Sequence, residues 1–350
     1  MAESLDLSAP DSASLYSAQH MADEIMPLPF KPAWWLRNPH LQTLWPVLFR
    51  RKLRPPLRRE RLELPDGDFV DLDWTVNDSG PIVIIFHGLE GSSRSHYTRG
   101  ILSVLPRQGM RAVVMHFRGC SGEPNRLARA YHSGDTGDID FLVRTLKARE
   151  PSTPLAAIGY SLGGNALLKW LGEQGSDAPV QCAVAVSVPF LLHEATARMN
   201  RGFSCVYQWH LMKSLKRGAR RKAVKFTPPA TLKEIDQMKS FFEFDDRVTA
   251  RLHGFNGAMH YYTTSSSRQY LNRIRIPTLI VHAQDDPFMH PGVIPGLPEL
   301  SSTVELSLHA RGGHVGFVGG SLPWRPRYWL DEQLPFWLKR YLHEKQHIGL

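Results

Sequence analysis

Gly159-Tyr160-Ser161-Leu162-Gly163 decides how the rest of this chain is read. The stretch lies at the seam between an apolar run, Pro154 to Ile158, that reads as a strand, and a helix-like segment, Leu162 to Gly172. A serine on such a sharp turn has its hydroxyl exposed, and the helix behind it aims its N-terminus at any oxyanion that forms there. Glycine is expected on both sides because side chains there would collide with the neighbouring strand and helix. The pattern alone arises by chance in roughly one chain in ten of this size. The strand before it and the helix after it therefore carry the argument.

Working outward, apolar runs at Ile82 to Phe86, Ala112 to Phe117, Leu155 to Ile158, Val180 to Val188, Ile276 to His282 and Val304 to His309 read as strands. Helix-like segments at Tyr97 to Gln108, Asp135 to Arg149 and Trp329 to His343 are interleaved with them. Continuous apolar runs suit central strands covered on both faces. The alternation predicts an α/β fold with a doubly wound, mostly parallel sheet. Leu62, Leu64, Phe69, Val70, Leu72 and Trp74 flank Asp66-Gly67 and predict a β-hairpin ahead of it. Pro189 to about Arg268 breaks the rhythm with helical, basic sequence and reads as a lid-like insertion. The expected organisation is a flexible tail (1–26), an aromatic and basic arm whose tryptophans pack on the body (27–60), the first part of the core (61–189), a helical lid (190–268) and the second part of the core (269–350).

The 350 residues, 42% hydrophobic, suffice for a large core. A formal charge of +9 admits anionic partners. No recognised nucleic-acid motif accompanies the charge, so nucleic acid is not expected. The basic run at Arg50-Arg51-Lys52-Leu53-Arg54 reads as a solvated face or a contact with anionic lipid. In the insertion, Leu211, Met212 and Leu215 lie among Lys213, Lys216, Arg217, Arg220, Arg221, Lys222 and Lys225. That mixture predicts either a solubilising lid face or peripheral contact with an anionic membrane. Cys120, Cys182 and Cys205 make an odd set without paired spacing, which argues against a disulfide scaffold and for a cytoplasmic protein. Met1 to Met26 lacks a secretory pattern, and no apolar run is long enough to span a bilayer. The 16 histidines show no His-Glu-x-x-His spacing, and no dinucleotide or P-loop pattern occurs, so neither metal nor cofactor is expected.

A serine hydroxyl needs a base to take its proton, and the base needs an orienting carboxylate. On a sheet of this kind both follow the nucleophile, in the order Ser, Asp, His. His314, in Arg311-Gly312-Gly313-His314-Val315-Gly316-Phe317, is the expected general base and acid, pushed toward the site by a tight loop at its paired glycines. Asp285-Asp286-Pro287 follows the strand Thr278 to His282. Asp286 is the first reading for the acid, three residues beyond the small Ala283, with Asp285 as the alternative or as a structural turn residue. The amides of Leu162 and of Leu89, in His87-Gly88-Leu89-Glu90-Gly91-Ser92-Ser93, are the expected oxyanion donors. Cys120 is a weak rival nucleophile. Ser133 or Asp135 is expected to cap the following helix, and His132 to make a structural hydrogen bond. Phe203, Trp209, Phe241, Phe242, Phe244, Tyr261 and Tyr262 are expected mostly to pack the lid.

The chain resembles the α/β-hydrolases, and more narrowly the YheT family of esterases. The resemblance rests on Asn38-Pro39-His40-Leu41-Gln42-Thr43, His87 to Ser92, Phe117-Arg118-Gly119-Cys120-Ser121-Gly122-Glu123-Pro124-Asn125, Tyr131-His132-Ser133-Gly134, Gly159 to Asn165, Asp285 to Phe288 and Gly312 to Phe317. It implies a carboxylic ester hydrolase with the triad Ser161, Asp286 (or its neighbour) and His314. The expected reaction is cleavage of short- to medium-chain acyl esters, of small molecules or lipids, through an acyl-enzyme. Family relatives also include alcohol acyltransferases, so transfer to an alcohol is a second expectation. A non-catalytic protein that binds anionic lipid on this scaffold is a third.

Overall fold

A computed structural model describes residues 29–343 of the chain, and the expected tail at 1–26 lies outside them. Ten strands are described: β1 (Leu57–Glu63), β2 (Phe69–Thr75), β3 (Ile82–Phe86), β4 (Arg111–Met115), β5 (Leu155–Tyr160), β6 (Cys182–Val186), β7 (Thr278–Ala283), β8 (Val304–His309), β9 (Val318–Leu322) and β10 (Arg325–Tyr328). The first eight form one sheet in the order β1-β2-β4-β3-β5-β6-β7-β8. β1 and β2 form the antiparallel hairpin, and β2 joins β4 antiparallel. Every pairing from β4 through β8 is parallel.

The apolar runs explain this sheet. Ile82, Ile84 and Phe86 of β3 enter one core, and Val83 and Ile85 enter the other. Leu155 and Ala157 of β5 likewise face one core, and Ala156, Ile158 and Tyr160 the other. With both faces covered by helices, no alternation of polar residues survives in these strands. The loops at the carboxyl ends of parallel strands are where such sheets build sites. Here those ends carry Gly88 after β3, Ser161 after β5, Asp285 and Asp286 after β7, and the loop to His314 after β8.

The arm differs from expectation. It contains a helix, α1 (Pro39–Phe49), opened by Asn38, whose side chain accepts from the amides of His40 (2.9 Å) and Leu41 (3.3 Å). The Asn-Pro pair is a helix-start signal, but Pro46 inside the segment and the crowd of aromatics obscured it. Trp35 and Trp45 do pack edge to face, 4.6 Å apart, whereas Trp34 is 65% exposed and donates its indole N–H to Ser321 O (2.9 Å). Arg50 is no part of a solvated face. It is ion-paired with buried Asp331 and lies 4.0 Å from the Tyr328 ring.

A second small sheet, the β9–β10 hairpin, follows the loop of His314 and was not foreseen. Gln42 of α1 ties it down, donating to Val318 O (2.9 Å) and accepting from Val318 N (2.8 Å). The helix before β5, α2 (Gly137–Arg149), starts after Thr136 and has no side-chain cap. Ser133 and Asp135 are engaged elsewhere: Ser133 N donates to the Tyr261 hydroxyl, and Asp135 pairs with Arg129. That corrects the cap expected of them.

Between β6 and β7 the chain is helical. It includes α3 (Leu192–Met199), α4 (Ser204–Ala223), α5 (Leu232–Gln237) and α6 (Ala258–Ser265). Met212, Ile235, Met238, Phe244 and Val248 give this segment its own small core. At the far end of α4, the Lys222 ammonium donates to the carbonyls of Leu127 (3.3 Å), Ala128 (2.8 Å) and Arg129, fastening the insertion to the loop ahead of α2. Among the described residues no helix is long and apolar enough to cross a membrane.

Candidate active site

Ser161 stands on the turn between β5 and the helix Leu162–Gln174 with φ 52° and ψ −118°. A side chain held there costs about 1–3 kcal/mol, so its surroundings must impose it. A Cβ at Gly159 would lie 2.6 Å from Gly163 O, and one at Gly163 would lie 2.3 Å from Phe86 O. The two glycines thus let strand, turn and helix close on one another. Ser161 N donates to Val186 O (2.8 Å), which anchors the turn to β6.

His314 reaches this serine from 153 residues downstream. Its Nε2 lies 3.0 Å from Ser161 Oγ, and its Nδ1 lies 2.8 Å from Asp286 Oδ2. With Asp286 as acceptor, Nδ1 carries the proton and the Nε2 lone pair faces the hydroxyl. Asp286 is buried, and its other oxygen accepts from Phe288 N (2.9 Å). Asp285 points elsewhere: its Oδ1 accepts from Gly313 N at 2.9 Å. Burial pushes the Asp285 carboxyl above its ordinary range. The two neighbouring carboxyls thus hold different parts of one loop, Asp286 its imidazole and Asp285 its backbone.

Three further residues position the imidazole. Thr43 Oγ1 accepts from His314 N (2.9 Å), and Ser187 Oγ accepts from Val315 N (3.0 Å). The Phe288 ring lies flat against the imidazole, with centroids 3.9 Å apart and planes 6° apart. Gly313 adopts φ 60°, and a Cβ there would lie 2.7 Å from both Pro39 O and Thr43 Oγ1. The tight loop read from the paired glycines is therefore also a docking surface for α1. None of these three positioning roles was read from the sequence. Thr43 and Phe288 do stand inside the motifs quoted above, and Ser187 carries no local signal.

The loop after β3 abuts Ser161. A Cβ at Gly88 would lie 3.3 Å from Ser161 Cβ. The amides of Gly88 and Glu90 donate to the hydroxyls of Tyr97 (2.9 Å) and Tyr131 (2.8 Å). Among the described residues the Leu89 amide between them takes no acceptor. His87 is fully buried, and burial lowers its pKa to about 3, so it is a neutral ring. It accepts from Phe117 N (3.2 Å) and donates to Gly88 O (2.8 Å), shaping the same loop.

A cavity of about 240 Å³ opens above Ser161 and His314. Leu89, Leu162, Phe288 and Met289 line it from the sheet side, and Leu192, Met199, Leu211 and Leu215 from the insertion. Four of the insertion's aromatics, Phe241, Phe244, Tyr261 and Tyr262, also line it, whereas Phe203, Trp209 and Phe242 are exposed. The same four belong to the insertion's own apolar clusters, so most of the seven pack the lid as expected while also facing the cavity. Cys120 has the opposite of a nucleophile's environment, since burial pushes its thiol well up. His132 packs edge to face on His253 and accepts from Gly134 N (3.2 Å), with burial lowering its pKa to about 3. Among the described residues no three His, Cys, Asp or Glu side chains converge to hold a metal.

The family model described as the alpha/beta hydrolase fold matches residues 81–321. The Escherichia coli (strain K12) protein named "Putative esterase YheT" is 48% identical over 322 residues, covering 90% of this chain and 94% of that one. Phospholipase ABHD3 of Mus musculus is 29% identical over 305 residues, covering 84% and 74%. Among solved structures, the Pyrococcus furiosus esterase Pf2001 superposes with a TM-score of 0.53 at 18% identity, covering 82% of this chain and 93% of that one. At that identity the superposition speaks to the fold.

Proposed function

The chain belongs to the α/β-hydrolase family, in its YheT-like esterase branch, and is a carboxylic ester hydrolase; from that premise we propose that it cleaves short- to medium-chain acyl esters through an acyl-enzyme on Ser161. The observation that carries the proposal is the unbroken line from Asp286 Oδ2 through both nitrogens of His314 to Ser161 Oγ, at 2.8 Å and 3.0 Å. Ser161 Oγ attacks the ester carbonyl carbon while its proton passes to His314 Nε2. The carbonyl oxygen becomes the oxyanion and is held by the amides of Leu89 and Leu162. The C–O bond to the alcohol then breaks as His314 returns its proton to the leaving oxygen. Water repeats the sequence on the acyl-enzyme and releases the acid.

Asp286 keeps the imidazole in the productive tautomer, and Asp285 holds the loop. The cavity is smaller than the roughly 300–1,000 Å³ of pockets for drug-sized ligands, which supports short to medium acyl groups. The phospholipase among the relatives supports lipid esters as one substrate class. A fluorophosphonate is expected to label the protein once, on Ser161. His314→Ala is expected to slow labelling by at least about 100-fold. Labelling at another residue, or at an unchanged rate without the imidazole, overturns the assignment.

A second reading concerns where the enzyme works, and the exposed face of α4 favours it. Met212 is buried, and Leu211 and Leu215 line the cavity, so these three do not face outward. Phe203, just before α4, and Val206 and Trp209 within it do, at 48%, 50% and 64% exposure. Exposed Lys213, Arg217 and Arg220 continue the same face. An apolar patch running into a cationic one suits the interface of an anionic bilayer. Sedimentation with phosphatidylglycerol vesicles at low salt is expected to pull the protein down, and Trp209→Ser to weaken binding about tenfold. Equal binding to neutral vesicles, or none to anionic ones, removes this reading.

A further inference from the structure

The catalytic line leaves one acid of the cavity without a task. Glu90 follows Leu89 on the loop after β3 and lines the same cavity as Ser161. Its backbone is left-handed, with φ 53°, where glycine would fit without strain. Tyr131 holds it there. The tyrosine hydroxyl accepts from Glu90 N (2.8 Å) and donates to Glu90 Oε1 (3.0 Å). The Tyr131 ring is in turn stacked on Phe117, with centroids 5.2 Å apart and planes 13° apart. Among the described residues Oε2 has no hydrogen-bond partner.

A carboxyl is an awkward choice at this place. One residue from an amide that receives an oxyanion, negative charge repels the very charge that develops. Burial pushes the Glu90 carboxyl up, and Arg217 and Arg221 act on it in the opposite direction. The loop itself needs only the Glu90 N–H, which any residue but proline supplies. A cavity-lining side chain that opposes the chemistry, is pinned by one oxygen and has the other unpaired is explained by what the cavity binds.

The cavity lining is of two kinds. Leu192, Met199, Leu211 and Phe241 are apolar and suit an acyl chain. Glu90, Tyr131, His132 and Lys222 are polar. We propose that Glu90 reads the alcohol side of the substrate, its free oxygen taking a hydrogen bond from a hydroxyl carried near the ester oxygen, so that hydroxylated alcohols are preferred over plain alkyl ones. This rests on the ester cleavage proposed above.

Two butyrate esters that differ by one group test it: 2-hydroxyethyl butyrate and propyl butyrate exchange a hydroxyl for a methyl. The ratio of their kcat/KM values is measured for the wild-type enzyme, Glu90→Gln and Glu90→Leu, with melting temperatures recorded alongside. The wild type is expected to favour the hydroxylated ester. Glu90→Leu is expected to lower the ratio about 10- to 100-fold, chiefly through KM of the hydroxylated ester. Glu90→Gln retains part of the preference, because its amide oxygen accepts the same bond and keeps the shape if the leucine variant unfolds. A change of equal size on both esters marks Glu90 as a loop support only and overturns the inference, as does an unchanged ratio. In both of those cases Ser161-dependent turnover of propyl butyrate leaves the hydrolase reading standing. If the wild type cleaves neither ester, that reading falls and the inference falls with it.

Discussion

Ser161→Ala is expected to lower kcat on p-nitrophenyl butyrate by about 10⁵- to 10⁶-fold, with the folded protein otherwise unchanged. The size follows from the proposed chemistry. Removing Oγ leaves His314 with nothing to deprotonate but water, and no acyl-enzyme forms. A residual rate above that in water persists, because the Leu89 and Leu162 amides and the cavity remain in place. The fold should tolerate the change. The hydrogen bond described for Oγ is the one to His314, and the anchor of the turn to β6 is made by the backbone of residue 161. Alanine also keeps a Cβ, so the strain at φ 52° is neither relieved nor increased. Steady-state kinetics and a melting curve together check this. A kcat within tenfold of wild type, with a normal melting curve, rules out Ser161 as the nucleophile.

Much of the arrangement behind that prediction was legible in the chain because its cause is local. The parallel strands announce themselves as apolar runs, since a strand covered on both faces has no polar positions left to alternate. The turn at Ser161 announces itself through Gly159 and Gly163, where backbone passes within 3 Å of where a Cβ would stand. What escaped was set by distant contacts. Thr43 holds the amide of His314 across 271 residues, and Ser187 holds Val315 across 128. Neither residue type signals such a role. Tyr131 and Tyr97 engage the amides on either side of Leu89, which only their placement in space reveals. The outward face of α4 was misread for a related reason. Its apolar residues are scattered among lysines and arginines, and only packing shows that Met212 turns inward while Trp209 turns out.

Asp285 and Asp286 show the same limit at its sharpest, and mutating each in turn carries the second large effect. Adjacent residues of one type leave sequence almost no means to separate them, yet their side chains part to different targets. Asp286→Asn is expected to reduce kcat by about 10⁴-fold. An amide at this position can offer N–H to Nδ1, which stabilises the tautomer with its proton on Nε2, where it cannot take one from Ser161. It also removes the charge that steadies the imidazolium formed during attack. Asp285→Asn is expected to cost less than about tenfold. Its amide oxygen still accepts from Gly313 N, and the residue makes no contact with the imidazole. Burial pushes the Asp285 carboxyl above its ordinary range, so the site does not favour the charge that asparagine removes. Fluorophosphonate labelling rates measured for the two variants in parallel separate the roles without reference to any chosen ester. If Asp285→Asn proves the more damaging of the pair, the orienting acid is Asp285, and His314 must turn its ring to meet it.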